Sequence, residues 1–297
     1  MTIIHNQQDV TPAVLKVMEQ TSDPRLREIM VSLIKHLHGF IRDVRLTETE
    51  FQQATRILNT MGQQSNDRHN EFVLMAGSLG VSSLVCLLNN GDNGTTETTQ
   101  SLLGPFWRMN HPVTENGGSI LRSETPGPRL YGTFTFLDQN GSPVEGLEVD
   151  IWHASPVGLY ENQDESQADF NLRGKFITGA DGTVRFRSVK PIGYPIPTGT
   201  TVGMLLAAQN RHPYRPAHVH VLAHKEGFKT LINQTYVDET SYLTSDVQFG
   251  VTAALIGKLE KHTGPHPEDG EVGEWYTLEH TLTLEPGVSK LPIPPIK

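Results

Sequence analysis

Two histidines one residue apart, His218 and His220, fall near the end of the run Arg215-Pro216-Ala217-His218-Val219-His220-Val221. In an extended strand successive side chains alternate faces, so both imidazoles point one way while Val219 and Val221 point the other. Two ring nitrogens on one face can seize one metal ion, and imidazole is the commonest protein ligand for such ions. That spacing alone does not separate a metal pair from a structural one. Its company narrows the chemistry: Arg215 stands three residues before the pair and Gln234 fourteen after it. Upstream, Tyr160 and Tyr194 sit in the Gly/Pro-rich turns Pro156-Val157-Gly158-Leu159-Tyr160 and Pro191-Ile192-Gly193-Tyr194-Pro195. Read singly, each tyrosine is an aromatic packed beside a turn with its hydroxyl bonded to backbone.

Those residues need a frame, and the hydrophobic pattern predicts one that is α+β and mainly β. Leu26, Ile29, Met30, Leu33, Ile34, Leu37 and Ile41 recur at three- and four-residue steps, one stripe of an amphipathic helix. Thr47-Glu48-Thr49-Glu50 spells a capping box, Phe51, Ala54, Ile57, Leu58 and Met61 continue as an apolar stripe, and Gly62 is placed to end that helix. A third helix is expected from Glu71 to Leu88. The polar run from Asn89 to Thr96 reads as a loop and marks the domain change, giving a helical domain over residues 1–95 and a sandwich over 96–297. Beyond it, short alternating stretches predict strands of an antiparallel β-sandwich. They are Leu130, Phe134 and Phe136; Leu147, Val149 and Ile151; Val184 and Phe186; and Tyr276 to Leu284, with turns at Asn140-Gly141 and Asp181-Gly182. The tail from Pro292 to Ile296 is expected to run extended along the surface.

With 36% hydrophobic and 19% charged residues, the 297-residue chain has the composition of a soluble globular protein. Its net charge of −9 argues against nucleic acid as a partner, because phosphate-backbone affinity needs clustered Lys and Arg. Cys86 is the only cysteine, so no intrachain disulfide can form, which is compatible with a reducing cytoplasm. No apolar run approaches membrane-spanning length, and residues 1–20 show no secretory pattern, so a cytoplasmic protein without membrane insertion is expected.

The motifs resemble the non-haem ferric intradiol ring-cleaving dioxygenases. The resemblance rests on Gly158-Leu159-Tyr160, Gly193-Tyr194-Pro195-Ile196-Pro197, the Arg215 to His220 run and Gln234-Thr235-Tyr236-Val237-Asp238, and extends to Leu103-Gly104-Pro105-Phe106 and Asp150-Ile151-Trp152-His153. It runs in order from about Glu71 to Leu284, closest to the catechol and hydroxyquinol 1,2-dioxygenases with their N-terminal helical domain. It implies Fe(III) held by Tyr160, Tyr194, His218 and His220, with Tyr194 leaving as a proton acceptor when substrate binds. The chemistry is coherent: a phenol titrates near about 10 and needs a strongly polarising cation to ionise at neutral pH. Two phenolates and two imidazoles favour ferric iron, whereas two histidines and a carboxylate would suit ferrous iron. The resemblance also implies that Arg215 stabilises negative charge on the substrate ring. Gln234 would lie near the iron and the arginine. Substrates would be a small aromatic diol or triol and O2. The expected assembly is a homodimer through the N-terminal helices, with a bound lipid as a further family feature.

By the same resemblance the pocket is walled by Leu74 and Gly77, by Leu103, Gly104, Pro105 and Phe106, by Ile196 and Pro197, and by Val247 and Gln248. Leu103-Gly104-Pro105-Phe106 and Tyr194-Pro195-Ile196-Pro197 resemble the hydroxyquinol branch more than the catechol branch, which implies hydroxyquinol (benzene-1,2,4-triol) as substrate, opened to hydroxymuconate and its keto form maleylacetate. Hydroxyquinol enzymes often carry an acid where Gly77 stands, and Gln248 is polar, so catechol and pyrogallol remain as alternatives; Gly77 leaves room beside Leu74 for a further hydroxyl. His153, His212 and His224 read as structural, Asp150 and Asp164 as loop or turn carboxylates, and Cys86 as a buried small apolar residue. Two rival readings are a zinc hydrolase using His218, His220 and His224 or Asp238, and a non-enzymatic β-sandwich binding module with a structural histidine pair.

Overall fold

The structure, a computed structural model, describes residues 3–66, 69–90, 100–237 and 241–296. Of the loop expected over Asn89 to Thr96, Asn89 and Asn90 are instead helical, while Gly91 to Thr96, the expected boundary at residues 95–96, and Asp238 lie outside the described residues. By packing, the chain separates into Met1–Thr60 and Met61–Lys297. The first unit holds α1 (Gln7–Met18), α2 (Pro24–Val44) and most of α3 (Glu48–Gln64). α2 carries the expected stripe, started by Asp23, whose carboxylate accepts the amides of Arg25 and Leu26. The Thr47–Glu50 capping box forms as read, each residue accepting from the other's backbone. α3 runs two residues past Gly62, which therefore does not end it.

The second unit begins with α4 (Glu71–Ser78) and α5 (Val81–Asn90), where the sequence suggested one continuous helix. Gly80 breaks it: at φ +72° the chain takes the left-handed region that glycine adopts without a Cβ penalty, and the two helices meet at 76°. Cys86 is consequently half-buried on α5 rather than fully enclosed. Among the described residues no single helix is long and apolar enough to cross a membrane.

The strands are β1 (Arg129–Leu137), β2 (Glu148–Trp152), β3 (Arg173–Ile177), β4 (Thr183–Val189), β5 (Tyr194–Pro195), β6 (Tyr214–Arg215), β7 (His218–His224), β8 (Leu231–Tyr236), β9 (Lys258–Pro265) and β10 (Val272–Thr283). One sheet has the order β4-β1-β10-β9 and the other β3-β2-β7-β8, while β5 and β6 form a separate ribbon. All pairs are antiparallel except β1 with β10. Leu130, Phe134, Phe136, Val184, Phe186 and Leu278 from the first sheet share one core with Val149, Ile151, Phe176, Val219 and Val221 from the second. The sandwich closes because period-two alternation turns the apolar side chains of β1, β2, β4, β7 and β10 into this core. Asp150 departs from the expected loop position: it lies within β2, buried, and accepts the indole N–H of Trp107.

Candidate metal centre and substrate cavity

β7 has two faces with different tasks. Val219, Val221 and Ala223 enter the sandwich core, and the alternate residues His218 and His220 emerge opposite, next to an aromatic layer of Phe106, Trp107, Trp152, Tyr160 and Tyr194. The ladder places Trp152 across from His220 on one side and Gln234 across from His220 on the other. Tyr194 comes from β5, whose register pairs it with Arg215 on β6, so a two-residue ribbon sets the tyrosine beside the arginine.

The four expected donor atoms converge in a closed ring. Tyr160 Oη lies 3.1 Å from Tyr194 Oη, Tyr194 Oη 3.4 Å from His218 Nε2, His218 Nε2 3.1 Å from His220 Nε2, and His220 Nε2 3.0 Å from Tyr160 Oη. A point equidistant from atoms so spaced lies about 2 Å from each, the length of a metal–nitrogen or metal–oxygen bond. The His218 tautomer suits this: its Nδ1–H donates to the Pro216 carbonyl at 2.8 Å, leaving a bare lone pair on Nε2. The buried Nδ1 of His220 has no hydrogen-bond partner among the described residues. Packing holds that ring instead, with Trp152 stacked on it at 4.6 Å and 7°. Gly104, at φ +74°, lies close enough that a Cβ there would stand 3.1 Å from His220 Cε1.

Electrostatics agree with a cation site. Burial pushes the Tyr160 phenol well above its ordinary value, with Tyr194 adding to the effect, and burial likewise raises Tyr194. Burial lowers His218 to about 3, with Arg215 contributing, and drives His220 well below its usual range, with His218 contributing. Two neutral imidazoles and two protonated phenols therefore face one another without a charge among them. Hard oxygen donors paired with imidazole fit a ferric ion.

Arg215 is buried and almost completely engaged. Its Nε and Nη2 donate to the Asp246 carboxylate at 3.1 and 3.0 Å, and Nη2 also donates to Gln234 Oε1 and Tyr236 Oη at 2.9 and 2.8 Å. Nη1 is the remaining arm, 3.5 Å from His218 Nε2 and turned toward the donor ring. Burial alone would push the Asp246 carboxyl up, but the guanidinium and the amides of Gly250 and Gln248 outweigh it and hold it below the usual carboxylate range. Gln234 is fixed at its other end, its Nε2 donating to the Leu102 carbonyl at 2.8 Å. Neither Asp246 nor the role of Tyr236 was read from the sequence. Tyr236 shares a β8 face with Gln234 by alternation, a signal that was available; a single acid at 246, in a loop, gave none.

A cavity of about 550 Å³ opens onto Tyr194 and Arg215. Leu74, Gly77, Leu103, Gly104, Pro105, Phe106, Ile196, Pro197 and Gln248 all line it, together with His69, Asn70 and Pro295, which the sequence reading did not include. Val247 is instead buried behind the wall, in a cluster with Leu74 and Ile196. The room expected at Gly77 is filled: a Cβ there would meet Gln248 Cδ at 3.0 Å and Nε2 at 3.2 Å. Among the described residues nothing is hydrogen-bonded to the Gln248 side-chain amide, whose backbone alone is engaged.

The other histidines are accounted for by structure. His153 is bonded to the Ala154 carbonyl and to Ser188, and His224 lies 3.3 Å from Glu148. His212 is exposed, its ring tilted against Tyr214 and Tyr242.

Residues 102–279 match the family described as Dioxygenase, and residues 23–96 match the one described as Catechol dioxygenase N terminus. Among similar proteins, the hydroxyquinol 1,2-dioxygenase of Rhizobium sp. (strain MTP-10005) is 39% identical, aligned over 91% of this chain and 92% of its own length. The catechol 1,2-dioxygenase of Candida albicans is 34% identical, over 86% and 84%. A solved hydroxyquinol 1,2-dioxygenase from Pseudomonas putida DLL-E4 superposes with a TM-score of 0.86 at 31% identity, covering 95% of this chain and 99% of that one.

Proposed function

Because the chain belongs to the intradiol ring-cleavage dioxygenases of the catechol and hydroxyquinol type, a family that uses non-haem iron, we propose that it cleaves hydroxyquinol between its two adjacent hydroxyl-bearing carbons. The product is hydroxymuconate and its keto form maleylacetate. The observation that carries the choice of substrate is the Gln248 amide, a polar group lining the cavity with no hydrogen-bond partner among the described residues. A site that offers such an amide to a third hydroxyl discriminates against rings lacking it, because a bound ring without that hydroxyl would shield the amide from water and give it no hydrogen bond in return.

Tyr160, Tyr194, His218 and His220 would hold the Fe(III). Bound there, ferric iron would supply a Lewis-acid centre that favours the ionised diol and makes the ring reactive toward O2. The chain's residues do the rest. Tyr194, at the junction of ring and cavity, takes a proton from the incoming diol. Arg215 directs Nη1 toward the reacting ring and stabilises negative charge there, while Asp246, Gln234 and Tyr236 fix its other nitrogens so that it does not reorganise during reaction. The apolar walls from Leu74, Phe106 and Ile196 exclude water from the ring face.

Catechol is the second reading, favoured by Gly77, which leaves the cavity without a carboxylate at that wall. Initial rates on hydroxyquinol, catechol, pyrogallol, chlorocatechols and protocatechuate, with products identified by mass, test the assignment. A higher kcat/KM for catechol than for the triol would overturn it.

The first unit provides the assembly surface on this reading. Leu26, Ile29, Leu33, Leu37 and Phe40 on α2 are each about half exposed in the single chain, a contiguous apolar stripe of the kind that marks an interaction site. A second copy of the chain covers it, and a lipid tail fits the same apolar character.

A further inference from the structure

The last described residues do not trail along the surface. Ile296 is 5% exposed and belongs to the cluster formed by Phe106, Trp107, Trp152, Tyr160 and Tyr194, and its neighbour Pro295 lines the substrate cavity. We propose that the segment Leu291-Pro292-Ile293-Pro294-Pro295-Ile296 is a wall of the active-site cavity that sets which ring substituents are admitted, a role that rests on the dioxygenase reading above.

The argument follows the chain. Gly287 and Lys290 tie the segment's start to the sandwich, through the Gly227 carbonyl at 2.9 Å and Thr230 Oγ1 at 3.0 Å. Past Lys290 no hydrogen bond holds it among the described residues, and three prolines remove three of its donors. What remains is packing. Burial alternates along it: Leu291, Ile293 and Pro295 are exposed, Pro292 and Pro294 half-buried, and Ile296 buried. Ile293, 90% exposed, shows that apolar residues in this stretch are not buried by default. Ile296 is therefore the anchor. The prolines lower the entropy lost in fixing an extended segment, so one buried side chain suffices to hold it. With Ile296 seated, Pro295 is pinned at the cavity mouth. The diol of a bound ring is committed to the donor atoms at the inner end, so its other substituents meet the remaining walls, Pro295 among them.

The test compares wild type with Pro295→Ala, Ile296→Ala and Ile296→Leu as iron-loaded full-length proteins. Turnover is measured on catechol and on 4-methyl- and 4-tert-butylcatechol, and 4-nitrocatechol binding by equilibrium dialysis. Shortening either residue is expected to raise the kcat/KM ratio of the bulky catechol to catechol by about fivefold or more, the scale on which apolar walls discriminate. Ile296→Leu, which restores the anchor, should return the ratio to wild type, an outcome that general destabilisation would not give. Ratios and 4-nitrocatechol affinities within twofold of wild type in both alanine variants would overturn the proposal while leaving the dioxygenase reading intact. If wild type cleaves neither hydroxyquinol nor catechol, the dioxygenase reading itself fails. The dialysis arm still decides whether the tail bounds the cavity, since binding needs no turnover.

Discussion

Gln248→Leu is the substitution that most directly separates hydroxyquinol from catechol. The Gln248 side chain packs against Gly77, with Cδ, Nε2 and Cγ at 3.0, 3.2 and 3.3 Å from the position of a Cβ, and its amide has no protein partner among the described residues. Leucine keeps the approximate volume and deletes the hydrogen bond. A neutral hydrogen bond is worth about 1–1.5 kcal/mol net, so the triol should lose about five- to twelvefold in kcat/KM while catechol holds or gains. Stopped assays on both substrates at fixed O2 give the ratio directly. Gly77→Ala supplies a second arm: its methyl must displace the amide by a few tenths of an ångström, so it should erode the same preference. In a Gln248→Ala background that effect should vanish, since the clashing atoms are gone. An unchanged triol-to-catechol ratio in Gln248→Leu refutes the role given to the amide. A Gly77→Ala effect that persists without Gln248 refutes the packing argument.

Tyr160→Phe should abolish the red-brown tyrosinate-to-iron absorption of the loaded protein along with most bound iron; a colourless wild type that turns over with stoichiometric zinc contradicts the assignment. Arg215→Ala should keep iron and colour yet lose about 10²–10³ in rate, the usual cost of deleting one such stabiliser, and activity within a few-fold of wild type would refute its role. Asp150→Asn tests a buried acid away from the cavity. Burial raises its carboxyl to about 6 against the partial opposition of Lys175 and Trp107, so the folded protein holds a proton that the unfolded chain releases near pH 4. The contribution of Asp150 to wild-type stability should then fall as pH rises from about 4 to 6, so the variant should gain up to about 3 kcal/mol relative to wild type above pH 6 with little gain at pH 4, measured by urea unfolding of both proteins. Light scattering across dilutions should show a dimer, and a strict monomer at micromolar concentration counts against the α2 surface.

The readings that succeeded came from local repetition. His218 and His220 fall on one face of β7 because alternation is a property of any strand, and the capping box at Thr47 needs only four residues. What escaped depends on distant contacts. Asp246 reaches Arg215 across thirty-one residues, and no periodicity marks it. Asp150 reads as a turn acid, yet sits inside a strand, where its buried carboxylate meets the indole N–H of Trp107 from a separate segment. The break at Gly80 lies inside an apolar pattern that continues on both sides, so only the backbone angle reveals it. Gln248 filling the space at Gly77 joins positions 171 residues apart, which one sequence cannot pair.

One physical cause prepares the two kinds of proposed ligand differently. Burial favours the uncharged form of every group, so it keeps His218 and His220 free of the proton that would block their lone pairs. The same burial keeps the protons on Tyr160 and Tyr194, so neither becomes an isolated buried anion. The permanent charge beside them, on Arg215, is matched by Asp246 at 3.0 Å. Every charge in the described site is thus balanced before iron arrives, and the pocket does not need the ion to avoid an unpaired charge. On the proposed ligand set, iron binding would displace up to two phenolic protons, and two phenolates would offset two of the three positive charges of Fe(III). Metal uptake should therefore strengthen with rising pH, through the tyrosines rather than the histidines, because the imidazoles are already neutral across the physiological range.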